Sequence, residues 1–157
     1  MSMRAALLDA IDFKARENKS CGRFKEALQA RRTLEKAYER YGADITTQVT
    51  NLNWIAYLAM QLDFLPEAER AARKCVEFYE PLATPYDEKL ATYYSMLAAV
   101  LAESLLFSEA IKVYERAIAI FENKLGKDSD YVKDRKRVLQ DMRNGEIRHY
   151  IKRRPKA

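Results

Sequence analysis

Glycine and proline are scarce in this sequence, each occurring four times in 157 residues. Both destabilise helix interiors, glycine through its backbone freedom and proline through its missing N–H. Their scarcity therefore favours long, uninterrupted helices. The four glycines each follow a segment with helical patterning, where glycine commonly ends a helix; they are Gly22, Gly42, Gly126 and Gly145.

Cysteine and histidine are scarcer still, with two cysteines and one histidine. Cys21 and Cys75 form no Cys-x-x-Cys pair, so we expect neither a disulfide framework nor structural zinc, and predict two reduced, buried or half-buried thiols. His149 lies between Arg148 and Tyr150, with no carboxylate beside it to orient its ring. A glycine-rich phosphate-binding loop is also missing. The sequence therefore predicts no enzyme, and no catalytic residue, metal site, cofactor or small-molecule substrate.

Long apolar runs are missing as well. No stretch approaches the roughly 18 consecutive apolar residues of a membrane helix, so no membrane span is predicted. Asp9, Asp12 and Glu17 near the start argue against a secretory signal or a transit peptide. We expect a cytoplasmic protein, with the cytoskeleton or a cilium as candidate locations.

A short motif occurs three times, at Phe24–Ala27, Leu65–Ala68 and Phe107–Ala110, and its alanines are 41 and then 42 residues apart. Such a fixed period is typical of stacked repeat arrays. A second alanine stands 12 residues before each motif alanine, which suits two antiparallel helices whose backbones approach closely. We call these residues the repeat alanines; they are Ala15 and Ala27, Ala56 and Ala68, and Ala98 and Ala110.

Apolar residues recur with helical spacing, most clearly from Phe107 to Phe121. The pattern predicts seven helices, at about 3–20, 23–41, 46–63, 66–80, 86–105, 107–124 and 130–153. Six of them form three hairpins, at about 4–42, 46–82 and 86–126, and the seventh caps the array from about residue 130. This predicts one domain over residues 1–145 and a basic tail over 146–157.

The third repeat, from Phe107 to Ile120 and on through Leu125-Gly126-Lys127-Asp128, resembles the tetratricopeptide repeats, in the roughly 42-residue form of kinesin light chains. Asn53-Trp54-Ile55-Ala56 in the second repeat is similar to another segment of that family. The resemblance covers about residues 4–142. It implies an all-α fold, a right-handed superhelical solenoid of three hairpins and a C-terminal capping helix. Such a solenoid has a concave groove that accepts a peptide or helix of a partner protein.

The resemblance also implies which residues face that groove. Asn53 is the strongest candidate, because a carboxamide can both donate to and accept from an extended backbone. The alternative is a solvated polar residue on an exposed face. The implied set is Asp12, Arg16 and Lys19 in the first repeat; Thr50, Asn53, Tyr57, Met60 and Gln61 in the second; Thr92, Ser95, Ala99, Ala102 and Glu103 in the third; and Asp134 and Arg137 in the capping helix.

Aromatic residues on the first helix of each hairpin have two candidate roles. Exposed aromatic side chains anchor many interfaces, whereas in a short helical stack most of them pack in the core. We predict that Trp54 and Tyr94 pack between helices and that Tyr57 is partly exposed in the groove.

Residues 146–157 carry a net charge of +4, out of +5 for the whole chain. A basic block of this kind attracts acidic surfaces, including phosphate backbones, anionic lipids and acidic proteins. A solvated helix end is the alternative interpretation. The basic residues are Arg148, Lys152, Arg153, Arg154 and Lys156.

Two functions stay open at this stage. The first is a non-enzymatic adaptor or scaffold that binds a partner protein in the groove. The second is a structural subunit of a cytoskeletal, ciliary or ribonucleoprotein assembly, which docks through outer surfaces and the basic tail. Apolar residues of the first helix, Leu7, Leu8, Ile11 and Phe13, also suggest self-association.

Overall fold

The computed structural model describes residues 2–147, and within that range the chain is helical and contains no strand. A single 3-10 turn, Glu80–Leu82, interrupts the series of α-helices. The α-helices are α1 (Met3–Ser20), α2 (Phe24–Tyr41), α3 (Ile45–Gln61), α4 (Leu65–Tyr79), α5 (Glu88–Glu103), α6 (Phe107–Leu125) and α7 (Asp130–Arg143). The helices predicted from the pattern are therefore confirmed in number. The seventh ends at Arg143, earlier than predicted, and residues beyond 147 lie outside the described range.

Side-chain caps begin the first helix of each hairpin and also begin α7. In each case an oxygen of the residue before the helix accepts a hydrogen bond from a backbone N–H of the first turn, which would otherwise lack a partner. The capping residues are Ser2 for α1, Asp44 for α3, Asp87 for α5 and Ser129 for α7. The Asp87 cap explains why α5 starts at Glu88 and not at residue 86 as predicted.

The helices group into two compact units, one up to Cys75 and one from Val76, so the boundary falls inside the continuous helix α4. In the first unit α1 packs against α2, and α2 against α3. Three ion pairs join α2 to the first turns of α4. They are Arg32 with Glu67 at 2.5 Å, Arg70 with Glu35 at 2.8 Å, and Lys74 with Glu39 at 2.7 Å.

Cys75 joins α4 to α3, because its Sγ donates a hydrogen bond to the carbonyl oxygen of Val49 at 3.3 Å. Burial raises the pKa of this thiol to about 12, so it stays protonated and unreactive at neutral pH. Cys21 is exposed, which corrects the prediction that both thiols are at least half-buried. It lies just past the end of α1, where no helix covers it.

In the second unit α5 packs against α6, and α6 against α7. Two tyrosines join the end of α4 to α5. The hydroxyl of Tyr79 donates to Asp87 at 2.9 Å, and the hydroxyl of Tyr94 donates to Glu80 at 2.8 Å. Arg116 of α6 also pairs with Glu80. Tyr94 is buried, as predicted.

All six repeat alanines are buried, with at most 1% of their surface exposed. In the first and third hairpins, the helices that carry them pack directly on each other. The burial of these alanines agrees with the predicted packing, and the requirement for small side chains there stays a prediction.

The turn inside each hairpin has the same backbone geometry three times. Gly22, Asp63 and Leu105 are 41 and then 42 residues apart, and their φ angles are 73°, 64° and 62°. At each turn the next residue's N–H bonds back to a helix carbonyl five residues earlier, as in a Schellman cap. These bonds run from Arg23 to Asn18, from Phe64 to Ala59 and from Leu106 to Leu101.

Leu105→Gly should raise the free energy of unfolding by about 1 kcal/mol. A non-glycine residue in the left-handed region costs about 1–2 kcal/mol, which glycine relieves. Part of this gain is lost because glycine also increases the backbone entropy of the unfolded chain. Leu105 is 69% exposed, so the substitution removes little buried surface. Urea denaturation followed by circular dichroism measures the change.

The matched control is Leu106→Gly, because Leu106 has an ordinary φ of −88°. Glycine there relieves no strain and should lower stability. If both substitutions lower stability equally, the strain assigned to Leu105 is refuted.

Candidate functional site

A stripe of side chains on α3 remains open along a helix that is otherwise largely buried. Thr50 is exposed, and Asn53, Tyr57 and Gln61 are half-buried. Their spacing places them on one side of the helix. Their neighbours along the helix include fully buried residues, Val49, Leu52, Ile55, Ala56, Leu58 and Ala59. We call Thr50, Asn53, Tyr57 and Gln61 the α3 stripe.

Asn53 has an unpaired polar atom within this stripe. Its Oδ1 is buried and has no hydrogen-bond partner in the described part of the chain. An unpaired buried acceptor costs about 1–3 kcal/mol. The residue as a whole is half-buried, so part of its side chain faces the surface.

The hydroxyl group of Thr50, one turn before Asn53, is already engaged by its own helix. The Oγ1 of Thr50 donates to the carbonyl oxygen of Thr46 at 2.7 Å. Thr50 can therefore accept a hydrogen bond from a ligand but has no free proton to donate. The carboxamide of Asn53 can both donate and accept, and it carries the unpaired buried acceptor of the stripe.

An aromatic pair lies beside the stripe, under a lysine from α1. Trp54 and Tyr57 meet edge to face, with ring centroids 5.8 Å apart. The ammonium of Lys19 is 4.8 Å from the Trp54 centroid and 5.9 Å from that of Tyr57. Tyr57 is half-buried, as predicted, and Trp54, predicted to pack between helices, is half-buried against Lys19 of α1 and Arg31 of α2. Both rings therefore offer surface to a ligand.

A buried arginine lies behind the aromatic pair and was missed by the sequence analysis. Arg31 of α2 is 4% exposed, and its Nη1 donates to Asp12 at 2.6 Å and to the Oδ1 of Asn51 at 3.4 Å. Asn51 in turn donates to the carbonyl oxygen of Arg31 at 3.0 Å. Asp12 also pairs with Arg16 at 2.6 Å. This network fixes the relative positions of α1, α2 and α3.

Two adjoining cavities separate α1 from α3. One has a volume of about 130 Å³ and includes Lys19 and Trp54 in its lining; the other has about 280 Å³ and includes Asp9 and Thr50. Arg16 and Arg31 line both, and we call the two together the α1–α3 cleft. Each is smaller than the roughly 300–1,000 Å³ of typical small-molecule sites, and suits side chains of a bound segment better than a cofactor.

Tyr38 lines the same cavity as Asp9, and its pKa responds to the charges around it. Burial raises the pKa of the phenol, and the negative charge of Asp12 raises it further. The positive charge of Arg31 opposes this rise, while Asp9 and Asp44 add to it. Three carboxylates and one guanidinium therefore act on this phenol, in addition to its burial.

The second unit holds the predicted residues of the third repeat and the capping helix. Thr92 is exposed and Ser95 half-buried on α5, and both hydroxyls donate to their own helix, to Glu88 at 2.9 Å and to Ala91 at 2.8 Å. Asp134 and Arg137 are exposed on α7, and Ala99 and Glu103 are half-buried.

Two predicted groove residues are enclosed. Met60 is 4% exposed and Ala102 is 2% exposed, so neither side chain can line an open surface, which corrects their assignment. Each lies one residue before the end of its helix, on the buried side of that helix.

Several predictions concern residues or sites that the structure leaves without a test. The basic tail residues Arg148, Lys152, Arg153, Arg154 and Lys156, together with His149, lie outside the described residues, 2–147. Within that range no group of three or more acidic, cysteine or histidine side chains is placed to hold a metal ion. No described helix has the length and apolar character to cross a membrane.

Self-association also stays a prediction. Among the apolar residues of α1 named for it, Leu7 and Phe13 are exposed, and Leu8 and Ile11 are half-buried. Lys14 and Glu17 form an ion pair on the same helix at 2.8 Å.

Comparison with known proteins identifies the repeats. The tetratricopeptide repeat family model matches residues 47–123. These residues are tetratricopeptide repeats. The match spans the second and third hairpins, including the α3 stripe and the predicted groove residues Thr92 and Ser95 of α5. No curated protein sequence matches the chain.

Solved structures of tetratricopeptide-like repeats share the fold over nearly the whole chain. The nearly identical TPR-like repeats assigned to a Podosopora anserina kinesin light chain superpose with a TM-score of 0.78 at 14% identity, covering 92% of this chain and 69% of that one. A point variant of the same repeats gives a TM-score of 0.79 at 14% identity, covering 92% and 68%. The fold predicted from the sequence, a helical repeat of kinesin-light-chain type, is thus confirmed.

Proposed function

We propose that this chain is a non-enzymatic adaptor or scaffold that binds a peptide or helix of a partner protein through the α3 stripe and the α1–α3 cleft. Tetratricopeptide repeats are in general protein interaction modules, which supports the class of function. The corresponding surface of the second unit, around Thr92, Ser95 and Arg137, belongs to the same proposal. A cytoplasmic location is part of it as well.

The unpaired Oδ1 of Asn53 is the observation that carries this proposal. A buried acceptor without a donor does not stabilise the fold, and asparagine is also a poor helix former. A backbone N–H of a bound segment would satisfy that oxygen. Tyr57, one turn further along the stripe, supplies apolar surface next to the same segment.

Alanine substitution of Asn53 and Tyr57 together tests the proposal. We expect a random dodecapeptide display library, selected on the full chain, to yield peptides whose affinity falls at least tenfold, or about 1.4 kcal/mol, in the double variant. Isothermal titration calorimetry of the selected peptides provides the measurement. Unchanged affinity with a retained helical spectrum would refute binding at the α3 stripe.

Asn51 provides the matched control for Asn53. Asn53→Ala removes an unpaired acceptor and should leave the free energy of unfolding unchanged or raise it, while weakening peptide binding. Asn51→Ala breaks two buried hydrogen bonds to Arg31 and should destabilise the fold. Equal destabilisation by both substitutions would show that Asn53 has a structural partner.

The alternative, a structural subunit that docks through outer surfaces and the basic tail, is separable from groove binding. Docking by the tail should weaken steeply with salt, whereas packing and neutral hydrogen bonds in the cleft should not. Deletion of the residues after Gly145 removes the tail without touching the α3 stripe. Partner binding that survives this deletion favours the proposed function.

A further inference from the structure

The charged groups of the α1–α3 cleft are arranged along its length. Asp9 lines one end and Lys19 the other, ten residues apart on α1. A rise of about 1.5 Å per residue places them about 15 Å apart along the helix. Neither the Asp9 carboxylate nor the Lys19 ammonium forms an ion pair with another described residue, so both charges remain available.

The groups between the two ends add to this polarity. Asp12 pairs with both Arg16 and Arg31, so one carboxylate faces two cations in the middle of the cleft. At the other end, the carboxylates of Asp9 and Asp44 both act on the phenol of Tyr38, which lines the same cavity as Asp9.

The Lys19 ammonium is positioned against an aromatic surface. It lies over the Trp54 and Tyr57 rings, which hold the cation in place without neutralising it. A partner carboxylate can therefore meet a preorganised cation, and an apolar neighbour of that carboxylate can contact the exposed part of the rings.

We propose that the α1–α3 cleft fixes the direction and register of an extended partner segment, by pairing a basic residue of the segment with Asp9 and an acidic residue with Lys19. An extended chain advances about 3.3 Å per residue. A distance of about 15 Å therefore places the two charged residues of the partner segment about four to five positions apart in its sequence. This inference rests on the proposed function and adds the chemistry of the segment. Complementary charges of this kind set orientation and exclude wrong partners.

Peptide selection on charge variants tests the inference. Random dodecapeptides displayed on phage are selected on the full wild-type chain and on Asp9→Lys, Lys19→Glu and the variant that combines both. Wild-type peptides should carry one basic and one acidic residue four to five positions apart. Asp9→Lys should select an acid where the wild type selects a base, and the combined variant should select the reversed pair.

Affinity measurements on one wild-type peptide give the size of the effect. Asp9→Lys and Lys19→Glu should each weaken binding about fivefold to tenfold at low salt, because attraction is replaced by repulsion, and less at high salt. The control is Lys25→Glu, which reverses an exposed charge on α2 that lines neither cavity and should leave affinity unchanged. All of these positions except Lys19 are exposed, and circular dichroism confirms that each variant is folded.

The outcomes separate this inference from the proposed function. If peptide affinity depends on Asn53 and Tyr57 but is unchanged by charge reversal at Asp9 and Lys19, the inference is overturned and the proposed function is not. Charges selected about ten residues apart overturn the extended conformation in favour of a bound helix, since a helix advances only 1.5 Å per residue. Failure to enrich any peptide on the wild-type chain contradicts the proposed function, and this inference with it.

Discussion

Arg31→Met should lower the free energy of unfolding by about 2–3 kcal/mol. The guanidinium is 4% exposed and donates to both Asp12 and Asn51. Methionine keeps much of the aliphatic packing but leaves the buried oxygen of Asn51 without its donor and Asp12 with only Arg16. Removing one partner of a buried charge pair costs about 3–5 kcal/mol, and the partial exposure of Asp12 reduces that figure. Urea denaturation provides the measurement.

Arg32→Met is the matched control, one residue along the same helix. Arg32 forms a bidentate pair with Glu67, but its side chain is 38% exposed, and pairs of that kind contribute about 0–1 kcal/mol. A loss below 1 kcal/mol is therefore expected. Equal losses for the two arginines would contradict the assignment of Arg31 as the buried centre of the first unit.

Ala98→Leu should destabilise the chain by about 2–3 kcal/mol. Ala98 of α5 has no exposed surface, and α5 packs directly against α6, which carries the repeat alanine Ala110. Three additional carbon atoms there must force the two helices apart or adopt strained rotamers, and such overpacking typically costs about 1–3 kcal/mol. Thermal and urea denaturation both report the loss.

Ala119→Leu is the control for this substitution. Ala119 lies on the exposed side of α6, so the same change in side chain meets solvent and should alter stability by no more than about 0.5 kcal/mol. If Ala98→Leu changes stability as little as Ala119→Leu does, the close approach of α5 and α6 does not depend on small residues.

The helical repeat could be predicted from the sequence because its signal is periodic. The repeat alanines occur at regular intervals and the glycines lie at helix ends, and each has a local physical reason. The shared turn geometry could not be predicted in full. Gly22 indicates it in the first hairpin, but Asp63 and Leu105 adopt the same left-handed conformation without being glycine, because hairpin closure imposes it.

The candidate site was predicted only in part. Tyr57 and Asn53 follow from their places in the repeat, whereas Arg31 was missed although it interrupts the apolar stripe of α2, between Leu28 and Leu34. An arginine at a core position was the available signal. Met60 was assigned wrongly because α3 is buried around most of its circumference, and Met60 lies on the buried part beside the narrow open stripe.

The contrast between the two thiols has a practical consequence. Cys21 is exposed and two residues from Lys19, whereas Cys75 is enclosed and protonated. A maleimide dye added to the native protein will therefore attach selectively beside the Lys19 end of the cleft, without any engineered cysteine. Modification of Cys75 requires α4 to open locally from α3. The rate at which the Cys75 thiol is modified therefore reports how often that opening occurs in the unaltered polypeptide.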